Sequence, residues 1–348
     1  MAASAKELIP SHVGLVYLGL SFPSLLVRIS APYWFDKVSY SKRMGMCFVL
    51  FASGFTITAL AGSQKEKLVG IVFTSIQQAL GETSLLALST RYGNKSLTFW
   101  SSGTGAAGLM GYGYVVLLNH YDISTRDILL GSNAIAVCYY LTFLTFTIPP
   151  PKFRAISECF EVKVLDSKKK AKLSPQERFN LTLSLWPWAI PLIVVYFAEY
   201  ALQSGTWSSI GFPVTSKTSR DDFYKYANWS YQAGVLISRS SGLIWKPGML
   251  VLWLLPILQV VVLILSTVNA AEQWWYNNGL LGLSGFVGLI GGLVYVNGFR
   301  LIAEGVNPEH VELATAAASV SSDLGTNGGE VLGIWIQSLL YGKLGIED

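Results

Sequence analysis

Ten stretches of the chain are apolar and approach the length needed to cross a lipid bilayer, a pattern that excludes most soluble folds. A spanning helix needs about 20 mostly apolar residues. The stretches run approximately over residues 13–35, 45–62, 68–90, 103–119, 128–148, 185–203, 230–245, 249–268, 276–300 and 311–341. Segment 230–245 is short and holds Arg239. Gly325, Gly328 and Gly329 interrupt the last stretch, which reads either as one kinked helix or as two shorter pieces. Charge points the same way. Only 13% of the 348 residues are charged, about half the roughly 25% of a soluble domain and too few to cover a water-facing surface. The expected class is all-α and polytopic, with about ten spans. Residues 1–12 lack a basic region followed by a small-residue cleavage site, so no cleaved secretory signal is expected.

Lysine and arginine counts set the orientation. The densest basic run, Lys168-Lys169-Lys170-Ala171-Lys172, lies in 149–184. With that stretch in the cytoplasm, loops 36–44, 91–102, 246–248 and 300–310 are cytoplasmic too, and the five together carry 15 basic residues against 8 on the other side. Segment 149–184 opens with Pro149-Pro150-Pro151 and carries 8 basic and 4 acidic residues. It reads as a linker between an N-terminal helical half, 1–148, and a C-terminal half, 185–348, or as a basic patch drawn to an anionic leaflet. Asn228-Trp229-Ser230 is an N-glycosylation sequon in the longest loop expected on the non-cytoplasmic side, 204–229.

Two sets of small residues fall on single helix faces: Gly103, Ala107 and Gly111, and Ser284, Gly288 and Gly292. Such faces let backbones approach where lipid supplies no hydrophobic drive. More informative are charges at membrane depth: Arg28, Glu82, Glu199, Arg239, Asp323 and Glu330. At a span centre such groups cost about 2.5–3.5 kcal/mol on insertion scales, and they face the bundle interior or a wet cavity. Glu82, Glu199, Arg239 and Asp323 are the candidates for transport and proton coupling. The alternative for either glutamate is a static ion pair, for example with Arg239. Arg28, near a span end, is expected to snorkel to the interface. The polar run Ser319–Gly325 around Asp323 reads as a broken helix lining a cavity or as a loop between two shorter helices.

Soluble chemistry is hard to find. Neither His12, His120 and His310 nor Cys47, Cys138 and Cys159 have metal-ligand spacing, and no Gly-x-x-x-x-Gly-Lys-Ser/Thr phosphate loop occurs. No metal, cofactor or nucleic-acid partner is expected, and no nucleophile–base set suggests an enzyme.

Several long motifs, in order, point to a family: Trp100-Ser101-Ser102-Gly103-Thr104-Gly105-Ala106-Ala107-Gly108, the run Val194–Tyr200, and Tyr231-Gln232-Ala233-Gly234-Val235-Leu236-Ile237-Ser238-Arg239-Ser240-Ser241. Gly291–Asn297 and Ser322–Gly325 extend them. From about residue 20 to its C-terminus the chain resembles the battenin family, the Batten-disease protein and its fungal vacuolar relatives. The resemblance implies a major-facilitator-like two-half helical bundle in the vacuolar or lysosomal membrane. It also implies a role in vacuolar transport and luminal pH homeostasis, with basic amino acids or glycerophosphodiester-like solutes as cargo. Glu82 matches the family glutamate after Leu-Gly, Glu199 that of Phe-Ala-Glu, and Arg239 the arginine of Ser-Arg-Ser-Ser. Family members begin with a further span ahead of the Pro-Ser segment, here Pro23-Ser24, so the first family span is expected to be missing. Leu20 and Leu236 also depart from the family pattern, which expects an aspartate and an aromatic residue there.

The leading expectation is a secondary carrier whose partners are the bilayer, a small solute and protons. A non-transporting membrane adaptor that governs vesicle trafficking through 149–184 is the alternative.

Overall fold

The computed structural model describes residues 13–92, 94–147 and 173–346. Most of the 149–184 segment, together with Cys159 and His12, lies outside the described residues. Among the described residues the secondary structure is helical, without a strand. The helices are α1 (Val13–Trp34), α2 (Tyr40–Leu60), α3 (Gln64–Ser89), α4 (Asn94–His120), α5 (Thr125–Gly131), α6 (Asn133–Thr142), α7 (Pro175–Ser184), α8 (Trp186–Ala201), α9 (Lys217–Ser240), α10 (Met249–Glu272), α11 (Gly279–Gly305), α12 (Val311–Ala318) and α13 (Val320–Leu344). A π-helical turn, Leu202–Thr206, continues α8.

Four stretches among the described residues combine span length with sufficient apolar content: Tyr40–Leu60, Thr125–Thr145, Met249–Glu272 and Gly279–Gly305. The pair Pro175–Ser184 and Trp186–Ser209, bent by 63°, makes a fifth. Helices α3, α4, α9 and α13 are long enough but more polar. Helix α10 shows which solvent the fold is built for. It exposes Leu250, Leu254, Ile257, Ile264 and Leu265 and buries Gln259, Ser266 and Asn269. That inverts the pattern of a water-soluble helix and suits a hydrocarbon surround.

The structure departs from the sequence expectations at three helix boundaries. Helix α9 begins at Lys217, not near 230, so much of the expected 204–229 loop is helical. Its first turns are amphipathic, with Asp221, Asp222 and Lys225 exposed and Arg220, Phe223 and Ala227 buried, and average apolarity hides such a helix. Helix α11 runs on to Gly305, and Arg300, expected in a loop, is buried on it and donates to the Pro247 carbonyl at 2.6 Å. The break in 311–341 falls at Ser319, while Gly325, Gly328 and Gly329 lie inside regular helix.

The chain divides into two compact units, neither of them continuous in sequence. The first comprises residues 1–93, 110–180 and 307–319; the second comprises 94–109, 181–306 and 320–348.

In the first unit α2 and α3 meet through Gly54 and Gly70, each placed so that an added Cβ would crowd the other's carbonyl oxygen. Helix α3 starts at a capping box: the Ser63 hydroxyl accepts from the Glu66 amide, and the Glu66 carboxylate accepts from the Ser63 amide. Where Pro23 interrupts the backbone ladder of α1, the Ser75 hydroxyl enters. It accepts from the Ser24 amide at 3.0 Å and donates to the Leu20 carbonyl at 2.5 Å. Ala31, Phe35, Met44, Cys47, Leu80 and Leu88 form a core here. Arg43 is buried at its edge, its guanidinium 4.3 Å and 4.0 Å from the Phe35 and Tyr40 ring centres.

In the second unit α9 packs on α11, and α8 on α13. A Cβ at Gly288 would overlap the Tyr231 carbonyl, one at Gly234 the Gly285 carbonyl, and one at Gly292 the Ser238 hydroxyl. Gly325, Gly329 and Gly333 admit α8 and its π-helical turn in the same way. Gly325, Gly329 and Gly333 are therefore contact points between helices. Trp207, Val235, Val262, Leu263, Val287 and Ile336 fill the space between.

Gly288→Ala is expected to destabilise the protein by about 1–3 kcal/mol, because the added methyl group meets rigid backbone. Gly103→Ala meets nothing within 4 Å and is expected to be neutral or to stabilise by up to about 1 kcal/mol through helix propensity. Thermal unfolding of the two variants in detergent measures the contrast.

Candidate functional site

Four of the charged residues at membrane depth fall into two arrangements, one in each unit. In the first, Arg28 on α1 meets Glu82 on α3, with Nη2 to Oε2 at 2.7 Å. The Arg28 side chain is 3% exposed and that of Glu82 22%. Arg28 therefore does not snorkel to the interface. A carboxylate on the neighbouring helix gives it a partner inside, and an ion pair is the usual way to keep a charge at that depth. Arg28 Nη1 also reaches the carbonyl of Ser319, the residue that follows α12, at 3.5 Å. The Thr83 and Ser319 hydroxyls lie 3.3 Å apart. Glu82 thus forms an ion pair with Arg28.

The second arrangement centres on Glu199 of α8, which is 2% exposed. Its Oε1 accepts a hydrogen bond from the Tyr231 hydroxyl on α9. Its Oε2 is buried without a hydrogen-bond partner. Gly291 on α11 makes the space, since a Cβ there would overlap Oε2. Two turns beyond Tyr231 on α9, the guanidinium of Arg239 donates from Nη1 to Thr104 Oγ1 at 2.7 Å and from Nη2 to the Tyr196 hydroxyl at 2.9 Å. It lies 3.9 Å from the centre of the Tyr295 ring, a cation–π distance. The first turns of α4 supply further hydroxyls. Ser102 and Ser240 are 2.7 Å apart, and Ser101 Oγ and Trp100 Nε1 are buried without partners.

This arrangement unites a carboxyl with one unbonded oxygen, a guanidinium held by neutral hydroxyls, and the three tyrosines Tyr196, Tyr231 and Tyr295. It can hold charge, take up or release a proton, and offer both donors and acceptors to a polar solute. Among the described residues no group of three or more His, Cys, Asp or Glu side chains converges as a metal site.

The other residues singled out in the sequence are distributed differently. Asp323 lies in the first turn of α13, partly exposed, its backbone carbonyl accepting from Asn327 Nδ2 at 2.8 Å. Asn228 is 4% exposed inside α9, and its Nδ2 donates to the Tyr224 carbonyl at 2.8 Å. A glycan cannot occupy that position in the folded chain, so the sequon reading is corrected. The Gly103, Ala107 and Gly111 face of α4 is also corrected. All three are exposed, with nothing within 4 Å of a Cβ built on either glycine. The close approach uses Gly105, against the Leu236 backbone and Arg239, and Gly108, against the Gln232 side chain. Ser284, Gly288 and Gly292 are buried on α11 and face α9.

Sequence reasoning missed Tyr196, Tyr231 and Tyr295, which hold Glu199 and Arg239 in place. The available signal was helical phase, since Tyr196 lies one turn before Glu199, and Tyr231 one turn before Val235.

A family model described as CLN3 protein matches residues 1–342. Battenin of Canis lupus familiaris is 31% identical over 93% of this chain and 76% of its own length. Protein BTN1 of Chaetomium globosum is also 31% identical, over 93% of this chain and 80% of its own length. The Saccharomyces cerevisiae protein BTN1 is 28% identical over 94% and 86%. Among solved structures, the E. coli fucose:proton symporter FucP superposes with a TM-score of 0.66 at 14% identity, over 99% of this chain and 90% of that one. A second structure, of FucP as a major facilitator superfamily transporter in the outward conformation, gives 0.58 at 16% identity over 99% and 90%. These likenesses establish an all-helical, major-facilitator-like fold.

Arg28→Ala removes the buried guanidinium paired with Glu82 and is expected to cost about 3–5 kcal/mol. Arg28→Leu combined with Glu82→Leu is expected to recover most of that loss in a double-mutant cycle read by thermal unfolding. Treatment with a glycosidase is expected to leave the gel mobility of the wild type identical to that of Asn228→Gln.

Proposed function

We infer the function of this protein from the premise that it belongs to the CLN3 protein family. Family and transporter-like fold together support a membrane protein with a transport role. Our reading is a proton-coupled secondary carrier of the vacuolar or lysosomal membrane. It would move basic amino acids or glycerophosphodiester-like solutes and so adjust luminal pH, with 149–184 on the cytoplasmic side.

One observation carries this reading. The Glu199 carboxyl is buried, with Oε1 bonded by Tyr231 and Oε2 left without a partner, in the unit that also holds the Arg239 guanidinium. A carboxyl so placed can accept a proton at the unbonded oxygen without first breaking an ion pair. Glu82 differs, because protonation there opposes its contact with Arg28. The roles therefore divide, with Glu199 as the coupling carboxyl and Arg239 with its hydroxyl partners as the solute-facing charge. Glu82 and Asp323 act as supporting charges. Alternation between two faces would follow if protonation of Glu199 changes which face the Arg239 group serves.

The test is uptake of labelled lysine and of a glycerophosphodiester into vesicles under an imposed proton gradient. Glu199→Gln is expected to abolish the gradient-driven component. Arg239→Ala is expected to lower uptake at least about tenfold, the loss of roughly 1.4 kcal/mol of solute interaction. Unchanged uptake in Glu199→Gln and Glu82→Gln would remove the proton-coupled mechanism.

A further inference from the structure

Gln259, near the middle of α10, is wholly buried, and neither its Oε1 nor its Nε2 has a hydrogen-bond partner. It lies on the single buried stripe of α10, Leu252, Pro256, Gln259, Val262, Leu263 and Ser266, and the main neighbours of that helix are α8 and α11. Residues 273–278 join α10 to α11. Measured back along α10, Gln259 stands about 19 Å from that turn, and Gly291 stands at nearly the same distance along α11. Gly291 is the residue against which Glu199 Oε2 rests. By helix rise the unbonded amide therefore lies within about a turn of the level of Gly291, on helices α8, α10 and α11 that pack on one another.

An isolated buried amide is rare, because nothing replaces the hydrogen bonds it makes in water. Polar orphans of this kind are satisfied by internal water that finds two to four partners. We propose that this junction is a hydration site, one or more ordered water molecules bonded by the Gln259 amide and by Glu199 Oε2, through which Glu199 exchanges its proton. The proposal rests on the proton-coupled reading above. The amide suits a relay because Oε1 accepts from a water while Nε2 donates to one, so either orientation of the water is held. A proton arriving as hydronium passes to Oε2, leaving a neutral water and a neutral carboxylic acid, and release runs in reverse. Only O–H bonds form and break. The titratable groups around Glu199 are Tyr196 and Tyr200 on α8, Tyr231 and Arg239 on α9, Tyr295 on α11, and Glu330 on α13 beside Tyr200. Of these, Tyr231 is bonded to Oε1, which leaves Oε2 to the water.

The experiment is infrared difference spectroscopy of the full chain in lipid on transfer to D2O. The Glu199 carboxyl band is identified by its loss in Glu199→Gln. In the wild type this band is expected to exchange as fast as solvent reaches the site. In Gln259→Met, which removes both amide bonds and keeps the volume, exchange is expected to slow about tenfold or more, because it then waits on local opening. Gln259→Asn keeps the amide and is expected to fall between them. Equal exchange in wild type and Gln259→Met overturns the proposal. So does a wild-type band that exchanges only on the timescale of global unfolding, a reading that needs no variant. A wild-type band that responds to sodium at constant ionic strength would assign the site to a cation and also overturn it. Rapid exchange of the wild-type carboxyl, slowed in Gln259→Met, together with uptake indifferent to the proton gradient would sink the carrier reading and leave the hydration site standing.

Discussion

The close approach of α9 and α11 governs the second unit. In hydrocarbon, helices gain little from hiding apolar side chains, and they associate where their backbones come close enough for dispersion and weak polar contacts to add up. Gly234, Gly285, Gly288 and Gly292 supply that closeness. Because the two backbones are near, Tyr231 on one helix and Gly291 on the other reach the same carboxyl of α8. Widening the seam would separate the hydroxyl that holds Glu199 from the gap that admits it. The position of the buried acid is thus a by-product of how tightly two neighbouring helices can pack.

The buried charges receive two different treatments. Arg28 and Glu82 neutralise each other, and Arg28 extends its reach to a helix-end carbonyl at Ser319. Such an arrangement favours one conformation, since removing either member leaves an uncompensated ion. Glu199 accepts from the Tyr231 hydroxyl, and Arg239 donates to two hydroxyls and lies against an aromatic face. Hydroxyl partners can donate or accept, so they tolerate a change of protonation that an ion pair resists. The first arrangement suits a fixed scaffold and the second a working centre.

Much of the fold was legible in the sequence because long apolar runs have few physical outcomes. The acids at depth also stood out, since charge in a run such as Val194–Tyr200 is costly enough to be conspicuous. The partners were not legible. Arg28 and Glu82 lie far apart in sequence, and nothing in either segment indicates that α1 and α3 are neighbours. The start of α9 was hidden because Lys217–Asn228 alternates charged and apolar faces and has no apolar run. On α4, small residues occupy both faces at helical spacing. The sequence offered Gly103, Ala107 and Gly111 as readily as Gly105 and Gly108, and only the packed neighbours decide between them. The Asn228 sequon failed for a related reason: a three-residue pattern carries no information about burial.

The hydroxyl of Ser75 occupies one rung of another helix's ladder, joined to the Ser24 amide and the Leu20 carbonyl. It therefore acts as a peg that fixes the rotational and axial setting of α1 on α3. Any sliding or twisting between these two rods must open both bonds at once, at a buried position. Motion of α1 and α3 is then confined to moving together, as a single stiff strut carrying Arg28 and Glu82 along in fixed alignment.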